Sequence, residues 1–416
     1  MTAIEIQGAA AKEAAAKLMT CPATDKNNAL LNIANALEAK KKIILGANAL
    51  DMENARKGDM APSMMDRLAL DPGRIDSIAS GVREVAALTD PVGQVDRLET
   101  RPNGLIIGRK KAPLGVIAII YEARPNVTVD AAVLCLKAGN AVILRGGKEA
   151  FNSNNAFTEI MREAISKAGL PADSVSLVRD TTRDSVDALL NAAKYIDVLI
   201  PRGGAGLINH VIANARVPVI ETGVGNCHIY VETSADFSMA ANIVFNAKCR
   251  RVSVCNAAET LLVDKAAAEE FLPMAKKLLD SKDTRLRGCP ETVRILGDRV
   301  TPATDEDYYT EFLDYILAVK VVSGIDEAIA HISKYGSRHS EAIVTNDYTA
   351  SRRFLDEVDA AAVYVNASTA FTDGGEFGLG AEIGISTQKM HARGPMGLSE
   401  LTSSKFIIYG NGQTRD

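Results

Sequence analysis

Residues 115–145, GVIAIIYEARPNVTVDAAVLCLKAGNAVILR, decide the fold. Gly115–Tyr121 is an unbroken apolar run rich in β-branched residues, with no polar alternation. A strand of that kind is buried on both faces, as in a parallel sheet covered by helices. Residues 127–138 then read as a helix and 141–145 as a second apolar strand. The same grammar continues with a helix at 152–168, a strand at 175–178, a helix at 183–193, a strand at 197–201, a helix at 205–215 and a strand at 217–221. A second series of apolar strands begins at His228–Val231 and runs through 259–263, 317–322, 342–345 and 362–366. Alternating strands and helices of this type predict an α/β fold with two successive parallel-sheet domains.

The flanks read differently. Residues 1–88 look helical throughout, with apolar positions at helical spacing in Ala29–Leu37 and Ile75–Leu88. Val92–Lys111 reads as two strands around Arg101-Pro102-Asn103-Gly104, and Asn-Gly between extended runs is a strong hairpin signal. A lone hairpin is marginal in water, so this one needs another partner. With the C-terminal strand Lys405–Tyr409 it forms a small β element whose edges invite pairing between subunits, hence a homo-oligomer, a dimer or higher. The expected organisation is one domain over 1–91 and 113–224 and a second over 225–375. The β element takes 92–112 and 396–416, and 376–395 is a returning segment.

Composition narrows the class. The chain has 416 residues, 47% hydrophobic and 24% charged, enough for two or three domains. A net charge of −5 without a basic face argues against nucleic acid. Six cysteines without paired spacing fit a reducing compartment, and no Cys/His cluster suggests a metal. The N-terminus lacks the basic start and apolar block of a signal peptide. The longest apolar run, Ala112–Tyr121, is too short to span a bilayer, so the expectation is a cytoplasmic protein away from membranes.

Ligands of open parallel sheets bind beyond the carboxyl ends of the strands. Asn126 follows the first strand, Arg145-Gly146-Gly147-Lys148 the second, and Pro201-Arg202-Gly203-Gly204-Ala205-Gly206 the fourth. Any one of these could be only a tight turn. Three on one sheet edge point to a nucleotide site, with phosphate at a helix N-terminus. Neither a G-x-G-x-x-G fingerprint nor a Walker loop is present, which argues against an ordinary Rossmann dehydrogenase or a P-loop kinase. Cys255, in NAKCRRVSVCNAAETLLV (246–263), lies between a helical stretch and a buried strand. A lone cysteine is most often a small buried side chain. With Arg250 and Arg251 close upstream, this one could instead be a thiolate nucleophile.

Glu221 in PVIETGVGNCHIYV (218–231), followed by Cys255, resembles the aldehyde dehydrogenase superfamily. The similarity extends over nearly the whole chain, and YEARPN, SRHSEAI and HARGPMGL point to a phosphate-releasing branch of that superfamily. The resemblance implies an aldehyde-dehydrogenase-like fold with a small β oligomerisation element. It also implies NADPH-dependent reduction of L-glutamyl 5-phosphate to the 5-semialdehyde in proline biosynthesis. A glutamate 5-kinase could hand over the labile acyl phosphate.

On this resemblance Cys255 attacks the acyl phosphate, expels phosphate and forms a thioester. Asn126 and the Cys255 N–H serve the oxyanion. Glu311 would hold the nicotinamide ribose. NADP(H) is expected because Arg145 and Lys148 precede Glu149 at the end of the second strand, where they could take a 2′-phosphate. Gly146, Gly203 and Gly204 would line the dinucleotide. Arg250 or Arg251 could receive the departing phosphate, and Ser368, Thr369 and Gly374 suit the amino-acid end. Glu221 matches the general base of hydrolytic relatives. Phosphate chemistry does not need that base, so it is either a wall residue or the base of a hydrolytic alternative. His391 reads as structural before catalytic.

Overall fold

The computed structural model describes residues 1–60, 62–122 and 124–415. It divides into two units: 1–221 with 378–384 and 396–416, and 222–377 with 385–395.

The first unit opens with helices α1 (Ala3–Leu18), α2 (Ala23–Ala39), α3 (Lys41–Lys57), α4 (Pro62–Leu68) and α5 (Pro72–Ala87). Local chemistry sets their starts. Thr2 and Glu5 form a reciprocal capping box on α1, and Asp71 caps α5 ahead of Pro72. The hairpin follows as β1 (Val95–Thr100) and β2 (Ile106–Pro113), closed by the Gly104 N–H on the Arg101 carbonyl at 2.8 Å. Next come β3 (Val116–Tyr121), α6 (Pro125–Lys137), β4 (Ala141–Arg145), α7 (Phe151–Lys167), β5 (Val175–Leu177), α8 (Arg183–Leu190), β6 (Val198–Arg202) and α9 (Ala205–Asn214). The strands form a parallel sheet in the order β5-β4-β3-β6. Every residue of β3 is buried, as its continuous apolar run requires.

One expected strand is corrected. Residues 217–221 contribute only a single bridge, Val219 to Leu199. Leu199 donates to the Pro218 carbonyl and accepts from Ile220, and pairing stops there.

The second unit carries β7 (Cys227–Val231), α10 (Phe237–Cys249), β8 (Ala258–Asp264), α11 (Lys265–Leu279), β9 (Arg285–Gly288), α12 (Pro290–Leu296), β10 (Val300–Pro302), α13 (Asp305–Tyr309), β11 (Ile316–Val322), α14 (Ile325–Tyr335), β12 (Ser340–Val344), α15 (Tyr348–Glu357), β13 (Ala362–Val365) and the short pair β14 (Ile385–Ser386) and β15 (Gly394–Pro395). Seven strands run β10-β9-β11-β8-β7-β12-β13, all parallel. The edge strand β10 and its neighbour β9 were not expected from the sequence, being short and partly polar. Alternate residues of the central strands pack two cores, with Ile229, Leu261 and Ala342 on one face and Tyr230, Leu262 and Ile343 on the other.

The chain returns to the first unit and ends in β16 (Thr402–Tyr409), antiparallel to β2. That three-stranded sheet, β1-β2-β16, leaves β16 as an edge, with Phe406, Ile408 and Tyr409 exposed.

Candidate active site

Each unit brings part of the expected chemistry together at the carboxyl ends of its strands. In the first unit, β3 is flanked in register by β4 and β6, with Ile120 opposite Arg145 and Tyr121 opposite Arg202. The turns after these three strands therefore share one edge. After β6, Gly204 stands at the N-cap of α9, and its N–H donates to Glu122 Oε2 at 3.0 Å. Carboxylates favour that position because the helix N-terminus carries partial positive charge. A side chain on Gly203 would sit 2.7 Å from the Glu122 carboxyl carbon, so a larger residue there would push the Glu122 side chain aside. Glu122 was not singled out from the sequence. Its position two residues before the Arg124-Pro125-Asn126 turn gave no local signal.

After β4, the guanidinium of Arg145 turns back onto the protein. It donates to the carbonyls of Thr181 (2.7 Å), Thr182 (2.9 Å) and Gly146 (3.3 Å). Lys148 is exposed and makes no ion pair within the described residues. Gly146 is buried against Asn154 and the Tyr121 ring. Asn126 lies in the first turn of α6, where its amide donates to Asp130 Oδ2 at 2.9 Å, one turn on. Burial pushes the Asp130 carboxyl up to about 6 against the pull of Asn126 and Arg202. Glu221 is half-buried at the end of this unit.

In the second unit, Cys255 sits in the turn region between α10 and β8, half-buried. Two charged residues staple that loop from beneath. Lys248 in the last turn of α10 and Glu259 at the start of β8 form an ion pair of 2.5 Å, both fully buried. Glu259 also accepts from the Leu313 N–H at 3.2 Å, while burial raises its pKa in spite of Lys248. The carbonyl side of Cys255 is held as well. Cys227 Sγ lies 3.2 Å from its oxygen, and a Cβ on Gly225 would fall 1.6 Å from the same atom. The Gly225 N–H donates to Glu311 Oε1 at 2.9 Å, so Glu311 braces the strand entry beside Cys255.

Asn256 is anchored through its amide to the carbonyls of Ala370 and Thr372, and its own carbonyl accepts from Thr369 Oγ1 at 2.7 Å. Ser368 caps the turn that contains Thr369, and both are buried. The pair thus supports the Cys255 loop through backbone contacts. Gly374 is buried beside them. Arg250 and Arg251 are exposed and form no ion pair within the described residues. His391 is exposed with a left-handed backbone, φ +68°, and serves a turn.

The cysteines separate by environment. Burial raises the thiol pKa of Cys21, Cys135, Cys227 and Cys249, most strongly for Cys227. Those four hold their protons at neutral pH. Sequence reasoning missed the Lys248–Glu259 pair, although two charges inside apolar stretches (NAKC and NAAETLLV) were a usable signal.

The geometry corresponds to known proteins at two levels. The sequence profile described as the aldehyde dehydrogenase family matches residues 2–285. The acetylating aldehyde dehydrogenase of Geobacillus thermoglucosidasius shares the fold at a TM-score of 0.72, with 18% identity and full coverage of both chains. At higher similarity, the gamma-glutamyl phosphate reductase of Carboxydothermus hydrogenoformans is 60% identical over 405 residues, 97% of each chain. The crystal structure of the gamma-glutamyl phosphate reductase of Thermotoga maritima has a TM-score of 0.96, with 48% identity over 99% of each chain. The chain belongs to the aldehyde dehydrogenase family, in its gamma-glutamyl phosphate reductase branch.

Proposed function

We propose that the chain reduces L-glutamyl 5-phosphate to L-glutamate 5-semialdehyde and phosphate, with NADPH as reductant and Cys255 as nucleophile. The observation that carries this reading is the placement of Cys255. Its thiol is half-buried in a loop fixed at both ends, while four of the five other cysteines are held protonated by burial.

The steps follow from what the residues can do. The Cys255 thiolate adds to the acyl carbon, and the tetrahedral oxygen is stabilised by the Cys255 N–H and the amide of Asn126. Asn126 has one amide hydrogen beyond the one given to Asp130. The acyl–oxygen bond breaks and phosphate leaves, leaving a thioester on sulfur. Arg250 or Arg251, exposed and without an acidic partner among the described residues, suits that dianion. NADPH, when bound, supplies the hydride that takes the thioester to the level of the aldehyde. The carbon–sulfur bond then breaks, releasing the semialdehyde and restoring the thiolate.

The turns after β4 and β6 fit a dinucleotide. Gly204 adds no side-chain bulk at the N-terminus of α9, and a phosphate bound there would take the Gly204 N–H from Glu122. For the 2′-phosphate, Lys148 is the better-placed cation, because Arg145 already serves three backbone carbonyls. Within this reading the first unit binds the dinucleotide and the second carries the nucleophile. Glu311, which braces Gly225, would also meet the nicotinamide ribose, and Gly374 would face the amino-acid end, while the buried Ser368 and Thr369 hold the Cys255 loop. The chain works in the cytoplasm, where its thiols stay reduced. The open edge of β16, with its exposed Phe406, Ile408 and Tyr409, pairs with another copy, and light scattering would show a dimer or larger.

Phosphate dependence tests the reading. Oxidation of L-glutamate 5-semialdehyde by NADP⁺ should need phosphate. A full rate without it would mean that water, activated by Glu221, takes the acyl group.

A further inference from the structure

The second unit holds another cysteine that the proposed chemistry does not use. Cys227 is the first residue of β7 and is fully buried. β7 pairs with β8, the strand that follows the Cys255 loop, with Cys227 opposite Ala258. This register brings the entry to β7 alongside the exit of the loop.

We infer that Cys227 is a positioning residue for the nucleophile: its buried Sγ, 3.2 Å from the Cys255 carbonyl oxygen, fixes the peptide that follows the reactive thiol. The inference rests on Cys255 being the nucleophile. Burial keeps Cys227 protonated, with the charges of Glu341 and Cys255 acting in the same direction, so its sulfur donates and the carbonyl accepts. His339 Nδ1 is a second possible acceptor at 3.7 Å, but it lies farther off and already meets Ser340 Oγ at 2.8 Å.

The donor sits on a rigid mount. Gly225 donates to Glu311, and Asn226 donates from its backbone to Ser337 Oγ and from its side chain to the carbonyls of Tyr308 and Tyr335 at 2.7 and 2.8 Å. The backbone at Gly225 passes so close to the Cys255 carbonyl that any Cβ would overlap it. On the far side, Asn256 is tied to Thr369, Ala370 and Thr372. The Cys255–Asn256 peptide is thus gripped from both directions. Fixing a nucleophile in this way lowers the entropy lost on reaching the transition state.

Orientation of this sort should appear in kcat and leave ground-state binding alone. The test compares Cys227→Ala, Cys227→Ser and Cys255→Ala in the phosphate-dependent oxidation of L-glutamate 5-semialdehyde. Cys227→Ala should lower kcat roughly 10-fold, with KM for the aldehyde, phosphate and NADP⁺ within about twofold of wild type. Cys227→Ser, which restores a donor, should recover most of that loss, and both variants should melt near the parent temperature. A Cys227→Ala enzyme with parental kcat overturns the inference. Equal losses in both variants, tracking a lowered melting temperature, also overturn it and leave Cys227 as core filling. An active Cys255→Ala enzyme overturns instead the nucleophile reading beneath it.

Discussion

Replacing Glu259 with Gln should destabilise the second unit by about 3–4.5 kcal/mol at pH 7. Lys248 and Glu259 are both shut off from solvent, so the variant strands an ammonium with no counter-charge. The Leu313 N–H keeps an acceptor in the new amide carbonyl, and the loss is therefore chiefly of charge. An upper bound follows from neutralising the lysine. Taking its reference pKa of about 10.4, deprotonation at pH 7 costs about 4.6 kcal/mol, falling to about 1.9 kcal/mol at pH 9. The sign is fixed by linkage. In the variant the folded-state lysine pKa is depressed, so the penalty grows as pH falls below about 10.4 and shrinks as it rises. Urea unfolding at pH 7 and pH 9 measures both values. Converting the pair together to Lys248→Met and Glu259→Leu should recover most of the loss, since no lone charge remains. A Glu259→Gln variant within about 1 kcal/mol of wild type at pH 7 would refute the claim that this pair staples the loop.

Two further outcomes follow from buried histidines and one exposed lysine. His331 packs its ring against Tyr308 and Tyr335, and neither ring nitrogen has a hydrogen-bond partner within the described residues. Burial lowers its pKa to about 2 and that of His339 to about 4. The unfolded chain protonates first, so stability is full above about pH 6.5 and is lost on acidification, about 3 kcal/mol per histidine by pH 4.5 or so. His331→Phe keeps the ring packing and should remove about half of this acid sensitivity; an unchanged acid limb in urea titrations would refute it. Lys148→Glu should cut the NADPH-over-NADH ratio of kcat/KM by roughly 10- to 100-fold, the worth of one charge-assisted contact. An unchanged ratio would remove Lys148 from cofactor selection.

Much of the fold was written locally. The unbroken apolar run of β3, the largely apolar β4, β7 and β8 and the Asn103-Gly104 turn each announced themselves within a few residues. Segment 217–221 read as a strand because Val217, Val219 and Ile220 are β-branched, but the structure pairs it only around Leu199. β9 and β10, the latter the sheet edge, were illegible because strands this short have too few residues to show an apolar pattern. The candidate site was legible in its thiol and glycine turns and less so in its wiring. Arg145 reads as a phosphate ligand until the carbonyls of Thr181 and Thr182, distant in sequence, are seen to occupy it. Thr369 reads as a substrate contact until Asn256 is found beneath its hydroxyl. Such long-range hydrogen bonds leave no periodicity for a sequence to display.

The central claim is a covalent bond between Cys255 and the acyl carbon. Its most direct test is peptide mass spectrometry of enzyme mixed with L-glutamate 5-semialdehyde and NADP⁺ with phosphate withheld. The account predicts one equivalent of NADPH formed at once, together with a glutamyl adduct on the peptide containing Cys255 and none in Cys255→Ala. Turnover with an unmodified Cys255, or an adduct on a different residue, would contradict it.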